Sequence, residues 1–112
     1  MTSVTFHTEN GRITGFDAIG HSGWADEGED LLCASIGAAV TLVEATVNDV
    51  LGLAASVKVE EERAQISMRL PGGLGPAAEN TCQSLLTGLM LYFTMLHEEY
   101  PENIEVLEAE AC

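Results

Sequence analysis

The strongest constraint on the fold of this chain is that its hydrophobic pattern switches between the period of a strand and the period of a helix. Residues 4–8 alternate apolar and polar side chains, as a strand with one buried face does. Asn10 and Gly11 follow, and because both residue types tolerate a positive φ, the pair is a strong signal for a two-residue hairpin turn. Residues 12–19 are therefore predicted to form the return strand.

Two longer segments repeat apolar residues at helical spacing. The first helix is predicted to start after Asp30, whose side chain suits an N-cap, and to stop at Gly52. The second is predicted to start at Pro76, since proline is favoured in a first helical turn, and to end at Pro101. The apolar positions are Leu32, Ile36, Ala39, Val43, Val47 and Val50 in the first helix, and Ala78, Cys82, Leu85, Leu89, Phe93, Leu96 and Tyr100 in the second.

A second hairpin separates the two helices. Apolar and polar residues alternate over 56–60 and again over 63–70, and a last short strand is predicted over 104–108. The order ββαββαβ indicates an α+β fold, in which an antiparallel or mixed sheet packs against two helices in two layers, or in three if the first helix is covered on both sides. The chain of 112 residues contains no linker or repeat, so we expect a single domain over 1–112.

The charge balance narrows the range of partners. Eighteen acidic residues against four basic ones give a formal net charge of −14. A surface of this sign repels the phosphate backbone, so we expect no direct binding to nucleic acid. It favours a basic partner, or it serves solubility alone.

The termini and the cysteines indicate the compartment. No uninterrupted apolar run reaches the roughly 18 residues of a membrane span, and the first residues lack the basic and apolar segments of a secretory signal. Cys33, Cys82 and Cys112 form an odd set without a CxxC pair, which argues against a disulfide framework and against a zinc ribbon. We therefore expect a cytoplasmic protein with reduced thiols, no membrane contact and no metal or other cofactor.

Cys33 is the best candidate for a nucleophile. With an N-cap at Asp30, it would be the third helical residue, where unbonded N–H groups and the helix dipole favour a thiolate and the negative charge of Asp30 opposes it. His21, at the end of the second strand, is the candidate base, and the glycine-rich loop over 20–29 joins it to the cysteine. The residues alone leave two alternatives open: Cys33 as a small buried hydrophobe, and Trp24 as either a substrate contact or a residue that packs the loop.

This pattern resembles the ribosomal-processing cysteine protease family, Prp. Members of that family carry Gly-His near the end of the second strand and Gly-x-Asp-x-x-Cys-Ala at the start of the first helix. The matching residues here are Gly20, His21, Gly28, Asp30, Cys33 and Ala34. The order of the strands and helices agrees as well, so the resemblance spans nearly the whole chain.

The resemblance implies a homodimeric protease in which Cys33 and His21 hydrolyse a peptide bond. It implies as substrate a bacterial large-subunit ribosomal protein, whose N-terminal extension is removed beside a pair of phenylalanines. The expected supporting or substrate-binding residues are Gly20, Asp30, Ala34 and Trp24. A basic ribosomal protein would suit an acidic enzyme.

One position departs from the family pattern. Members usually carry a serine four residues after the cysteine, where this chain has Gly37. Glycine in a helix interior costs about 1 kcal/mol relative to alanine. Ser35 lies nearby in sequence but on another side of the helix.

Two functions without proteolysis also fit the residues. The first is a non-catalytic acidic dimer that binds a basic ribosomal or assembly partner. The second is a thiol redox sensor that uses Cys33.

Overall fold

The computed structural model describes residues 1–20, 27–62 and 64–111, with the backbone alone for 27–30. In this part of the chain five strands and two long helices follow each other as ββαββαβ, and the predicted α+β fold with a mixed sheet is confirmed. The strands are β1 (Thr2–Glu9), β2 (Arg12–Ile19), β3 (Ser56–Glu60), β4 (Gln65–Arg69) and β5 (Ile104–Glu110), and the helices are α1 (Glu27–Glu44) and α2 (Pro76–Glu99).

The strands form one sheet in the order β3-β4-β2-β1-β5. Neighbouring strands are antiparallel except for β1 and β5, which are parallel. The turn between β1 and β2 is the predicted two-residue turn, with φ of 53° at Asn10 and 78° at Gly11. Both values lie in the left-handed region that asparagine and glycine tolerate best, which explains why this pair carries the signal.

One face of the sheet carries the core. Along β1, Thr2, Val4 and Phe6 are buried, while the residues between them are only partly so. The ring of Phe6 lies 5.7 Å from that of Phe16 in β2 and 6.2 Å from that of Phe93 in α2, measured between centroids. Both helices contribute to this single core, so the fold has two layers rather than three.

Helix α1 starts earlier than the capping argument predicts. It begins at Glu27, so Asp30 is its fourth residue and not its N-cap, and the prediction of an N-cap at Asp30 is wrong. The backbone of Glu27, Glu29 and Asp30 lies in the first turn of the helix, and acidic residue types are favoured in a first turn because of the helix dipole. This acidic turn was the sequence signal for the true start.

Beyond Glu44 the helix continues as a π-helical segment, Ala45–Val50. It ends in a turn where Gly52 has a φ of 66°, which confirms Gly52 as the stop. The side-chain amide of Asn48 holds this turn: its Oδ1 accepts from the N–H of Ala55 at 2.6 Å, and its Nδ2 donates to the carbonyl of the same residue at 3.2 Å. The chain is thereby directed into β3.

From Leu31 to Val50 the first helix and its extension are long and apolar enough to cross a membrane, by length and composition alone. Glu44 and Asp49 lie within this segment, so it is apolar on average without being an uninterrupted apolar run. Its inward stripe belongs to the core and consists of Leu32, Ile36, Val40, Val43 and Val47. Its outward stripe is apolar as well, since Leu31 and Leu42 are 60% and 65% exposed. The helix therefore has one apolar surface that the fold uses and another that it leaves open.

Candidate active site

Cys33 is an exposed residue of α1. It is the seventh residue of the helix, about 9 Å along the axis from Glu27. Leu32 and Ile36, its neighbours on the core side, are 1% and 6% exposed. The helix that carries the thiol is thus anchored by packing, which holds the cysteine on a rigid element while its side chain is open to a substrate.

This position changes how the helix can assist the thiol. The unbonded N–H groups of α1 belong to the turn that starts at Glu27, and they point out of the N-terminal end of the helix, away from Cys33. The dipole effect falls off within the first turn, and Cys33 lies beyond it. The unbonded N–H groups that were predicted to favour a thiolate at Cys33 are therefore not adjacent to the thiol.

Gly20 fixes the end of the strand that leads to the candidate base. Its φ is 116°, a conformation that disfavours every residue with a side chain. A Cβ atom at this position would lie 2.3 Å from the carbonyl oxygen of Met1. Only glycine fits at this position, which explains on steric grounds why the Gly-His pair contains a glycine. The same close approach holds the end of β2 against the start of β1.

The remaining predicted site residues are placed as follows. His21 and Trp24 lie outside the described residues, so their predicted roles stay predictions. Asp30 is three residues before Cys33 in the helix backbone. Ala34 is exposed and faces a groove between the two helices, on a side of α1 different from that of Cys33. The structure thus separates Ala34 from the thiol.

The groove between α1 and α2 is the feature that the sequence analysis missed. It has a volume of about 680 Å³, and its lining is predominantly apolar. At about 100° per residue, Leu42 in this groove lies about 180° around the helix axis from Cys33. The groove therefore occupies the opposite flank of α1. Its lining includes Ala34, Ala38, Leu42, Ser84, Gly88 and Tyr92.

Cys82 is the second cysteine in the described part of the chain, and its surroundings are unlike those of Cys33. It is 0% exposed on the inner face of α2, as the apolar stripe predicts. Burial raises the pKa of its thiol, and the charge of Glu79 raises it further, while Arg12 works in the opposite direction. Cys82 is thus held as a neutral thiol in the core, where it packs as a small hydrophobe.

A polar cluster lies on the other face of the sheet. Asp17 accepts a hydrogen bond from the ring of His7 at 2.7 Å and two from the guanidinium of Arg69 at 3.0 and 3.1 Å. Partial burial acts to raise the pKa of Asp17, but hydrogen bonds from Ser67, His7 and Arg69 and the charge of Arg69 lower it overall. The hydrogen-bonding groups of these residues satisfy one another, as is typical of a polar cluster that stabilises a fold.

Neither the sequence nor the described structure points to a metal centre. Among residues 1–20, 27–62 and 64–111, no three side chains of histidine, cysteine, aspartate or glutamate converge as metal ligands would. His97, another candidate ligand by type, directs its Nδ1 to the carbonyl of Ile104 at 2.6 Å and so ties α2 to β5.

Comparison with known proteins places this α+β chain, which carries an exposed thiol on its first helix, in the class of cysteine proteases. The family model described as cysteine protease Prp matches residues 1–105, and the chain belongs to this family. The Ribosomal processing cysteine protease Prp of Bacillus subtilis is 27% identical over 94 residues, which are 84% of each chain.

Solved structures share the fold. SMU.848 from Streptococcus mutans superposes with a TM-score of 0.85 at 19% identity, covering 99% of this chain and 96% of that one. The essential ribosomal processing protease Prp from S. aureus, in complex with a covalently linked product peptide, gives a TM-score of 0.76 at 22% identity, covering 97% of this chain and 100% of the other. The same S. aureus protein with a substrate peptide gives 0.77 at 20% identity, with the same coverage.

Proposed function

We propose that this protein is a cytoplasmic endopeptidase that removes the N-terminal extension of a bacterial large-subunit ribosomal protein, cutting beside a pair of phenylalanines. The observation that carries the proposal is the placement of Cys33: an exposed thiol on a core-anchored helix of a chain in the Prp family. The names of the relatives from B. subtilis and S. aureus, which are ribosomal processing proteases, support the same substrate class.

In the proposed reaction His21 is the base and Cys33 the nucleophile. The imidazole takes the proton of the thiol, and the sulfur attacks the scissile carbonyl carbon, so a C–S bond forms and the carbonyl oxygen takes the charge. The C–N bond then breaks as His21 gives its proton to the leaving amine. Water, deprotonated by His21, attacks the thioester, and the C–S bond breaks to release the carboxylate and restore the thiol.

The test is cleavage of a peptide that spans the extension junction and contains the Phe pair, followed by mass spectrometry. We expect two products with a cut beside the pair, and no products from a matched peptide in which both phenylalanines are alanine. A covalent thioester adduct trapped on Cys33 would be the expected intermediate. If the wild-type protein binds the peptide but cuts neither form, the protein is a binding module and the proposal is wrong.

We further propose that the protein is a homodimer and that the groove between α1 and α2 is its interface. The charge distribution supports a second copy as the occupant. The chain carries 18 acidic residues, yet residues 31–43 of α1 and 80–97 of α2 contain none. Because two copies repel each other wherever carboxylates meet, this uncharged surface is where they approach at the lowest electrostatic cost.

The shape of that surface supports the same occupant. Leu42, which lines the groove, and Met95 on α2 are 65% and 62% exposed, and large exposed apolar side chains that cluster mark interaction sites. Ala38 and Gly88 line the groove beside them, and their small size lets an apolar ridge of a second copy come close. Since Cys33 lies on the opposite flank of α1, both thiols would stay accessible in such a dimer.

A further inference from the structure

A second groove lies between α2 and β5. It has a volume of about 330 Å³ and shares no lining residue with the groove between α1 and α2. Leu91 is 58% exposed in it, and two carboxylates stand at its β5 side. The groove thus combines apolar surface with acidic surface. Its lining consists of Met90, Leu91, Thr94 and His97 from α2 and of Glu105, Val106 and Glu108 from β5.

The backbone of β5 has an open edge along this groove. β5 is the last strand of the sheet and pairs with β1, and in the part of the chain that the structure describes no strand lies on its other side. An extended peptide can add to such an edge and direct every second side chain into the groove. The edge strand at the other end of the sheet, β3, carries Lys58 at its centre, and edge lysines hinder pairing with another strand. β5 contains neither lysine nor proline.

Charge selects the kind of segment that fits this edge. Residues 70–112 contain seven glutamates and no lysine or arginine. A second copy of this chain would bring its own carboxylates to the edge, and like charges on neighbouring strands destabilise the pairing. A cationic segment would be attracted. The carboxylate of Glu105 is held in place by the hydroxyl of Ser3, which donates to it at 2.6 Å, and a carboxylate can accept further hydrogen bonds from a cation.

Lysine and arginine side chains match both parts of the groove. Each has an apolar stem and a charged head, so the stem can pack on apolar surface while the head stays in contact with water or with a carboxylate. Here the stem would lie on Leu91 and Val106, and the head would reach Glu105 or Glu108. A wholly apolar side chain would leave the carboxylates unused.

We propose that this groove and the open edge of β5 are a docking site for an extended, cationic segment of the substrate, namely the part of the ribosomal protein that follows the scissile bond. The inference rests on the proposed function, which supplies a basic protein behind a removable extension. The position of the groove permits one substrate to reach both sites. Ile104 at the start of β5 pairs with Thr2 of β1, whose next residue pairs with Ile19 at the end of β2. The docking edge therefore starts two strand spacings, about 10 Å, from the strand end that leads to His21.

The experiment measures kcat/KM for two peptides that share the Phe-pair junction and differ in the segment after it. One segment carries lysines and arginines, and the other carries glutamines at the same positions. For the wild-type protein we expect a preference for the cationic peptide of about fivefold or more at low ionic strength, falling as salt is added. Leu91→Arg places a cation in the groove and should bring this ratio close to one, and Glu108→Gln should lower it by about half or more.

A matched variant separates the groove from the general charge of the surface. Val50 is 76% exposed on the π-helical segment, outside the groove, so Val50→Arg changes the net charge by the same amount as Leu91→Arg. Val50→Arg should leave the ratio within about twofold of the wild-type value. Pairing with the edge has its own readout: N-methylation of the cationic segment, one residue at a time, should weaken cleavage at every second position. Circular dichroism checks that each variant is folded.

The outcomes distinguish the inference from the proposed function. If the wild-type protein cuts both peptides equally, or if Leu91→Arg and Val50→Arg lower the ratio by the same factor, the docking site is wrong while the protease remains. A halved mass of Leu91→Arg in light scattering would also overturn it, because the groove would then hold a second copy. Fluorescence anisotropy of the labelled cationic segment alone tests binding without cleavage. If this segment binds to the wild-type protein and not to Leu91→Arg, but neither peptide is cut, the docking site stands and the proposed function has failed.

Discussion

Helix α1 presents two surfaces of opposite character on its two flanks. One flank, the thiol flank, carries Cys33 and Gly37, and the other, the groove flank, carries Ala34, Ala38 and Leu42. The core stripe lies on the inner side of the helix between them and fixes both. A single helix thereby carries an exposed thiol on one flank and an apolar surface on the other, so a partner on one flank would leave the other free.

The comparison shows how helical phase assigns functions to neighbouring residues. Cys33 and Ala34 are adjacent in sequence, yet a rotation of about 100° directs them to different surfaces. In a motif that contains both residues, the cysteine is therefore constrained by the thiol site, and the alanine is constrained by helix packing at the groove. Substitutions on the two flanks should have separable effects.

The largest effect is expected on the thiol flank. Cys33→Ala should abolish cleavage, a loss of at least about 10³-fold, because removing a nucleophile removes the covalent pathway. His21→Ala should do the same, while Cys82→Ala, in the core of α2, should keep the activity and only lower the stability. Peptide cleavage followed by mass spectrometry checks all three variants. Full activity in Cys33→Ala would contradict the assignment of the nucleophile.

The next effect concerns thiol reactivity in the native protein. In a Cys112→Ser background, iodoacetamide should modify Cys33 rapidly and Cys82 at least about 10³-fold more slowly. The reason is that Cys82 is 0% exposed and becomes accessible only when the protein opens. Peptide mapping after timed labelling measures both rates. Comparable rates would mean that α2 opens readily and that burial does not distinguish the two cysteines.

On the groove flank we expect a loss of association without a loss of the thiol's function. Leu42→Glu introduces a carboxylate into the uncharged surface and should halve the mass measured by light scattering at micromolar concentration. The control is Leu107→Glu on β5, another exposed leucine outside the groove, which should leave the mass unchanged. A wild-type protein of monomer mass would contradict the dimer directly.

The smallest effect is expected from the far face of the sheet, which belongs to neither flank. Because its neighbours lower the pKa of Asp17 below the ordinary value of 3.8, the stability it contributes is complete above that pH and is lost as the pH falls through the lowered value. Asp17→Asn should therefore reduce the free energy of unfolding by about 1.5 kcal/mol at neutral pH. Denaturant titrations should show this difference closing below about pH 3.8; a difference that persists there would contradict it.

The order of the elements follows from local signals. Asn10 and Gly11 predict the first hairpin, Pro76 the start of α2, and Gly52 the end of the first helical segment, and all three are confirmed. Each signal depends on the φ preferences of one or two residues, which act before any distant contact forms. The start of α1 was predicted wrongly because a capping side chain and an acidic first turn compete as local signals, and sequence does not rank them.

The candidate site was only partly within reach of the sequence. The motif identified Cys33, and the open placement of this residue on α1 agrees with a nucleophile. The helix-end argument for its activation was wrong, since it depended on the predicted start of α1. The groove was missed, although the absence of carboxylates over 31–43 and 80–97 in so acidic a chain was a usable signal.

The sequence by itself determined which segments are strands and helices, that they bury one apolar face, and that Cys33 belongs to a recognisable motif. Only the tertiary structure decided that β5 pairs in parallel with β1, that α1 exposes a second apolar surface, and that a groove lies between α1 and α2. The physical reason is the range of the interactions. Periodicity and turn preferences act between near neighbours, whereas strand pairing, grooves and empty space depend on residues that folding brings together from distant parts of the chain.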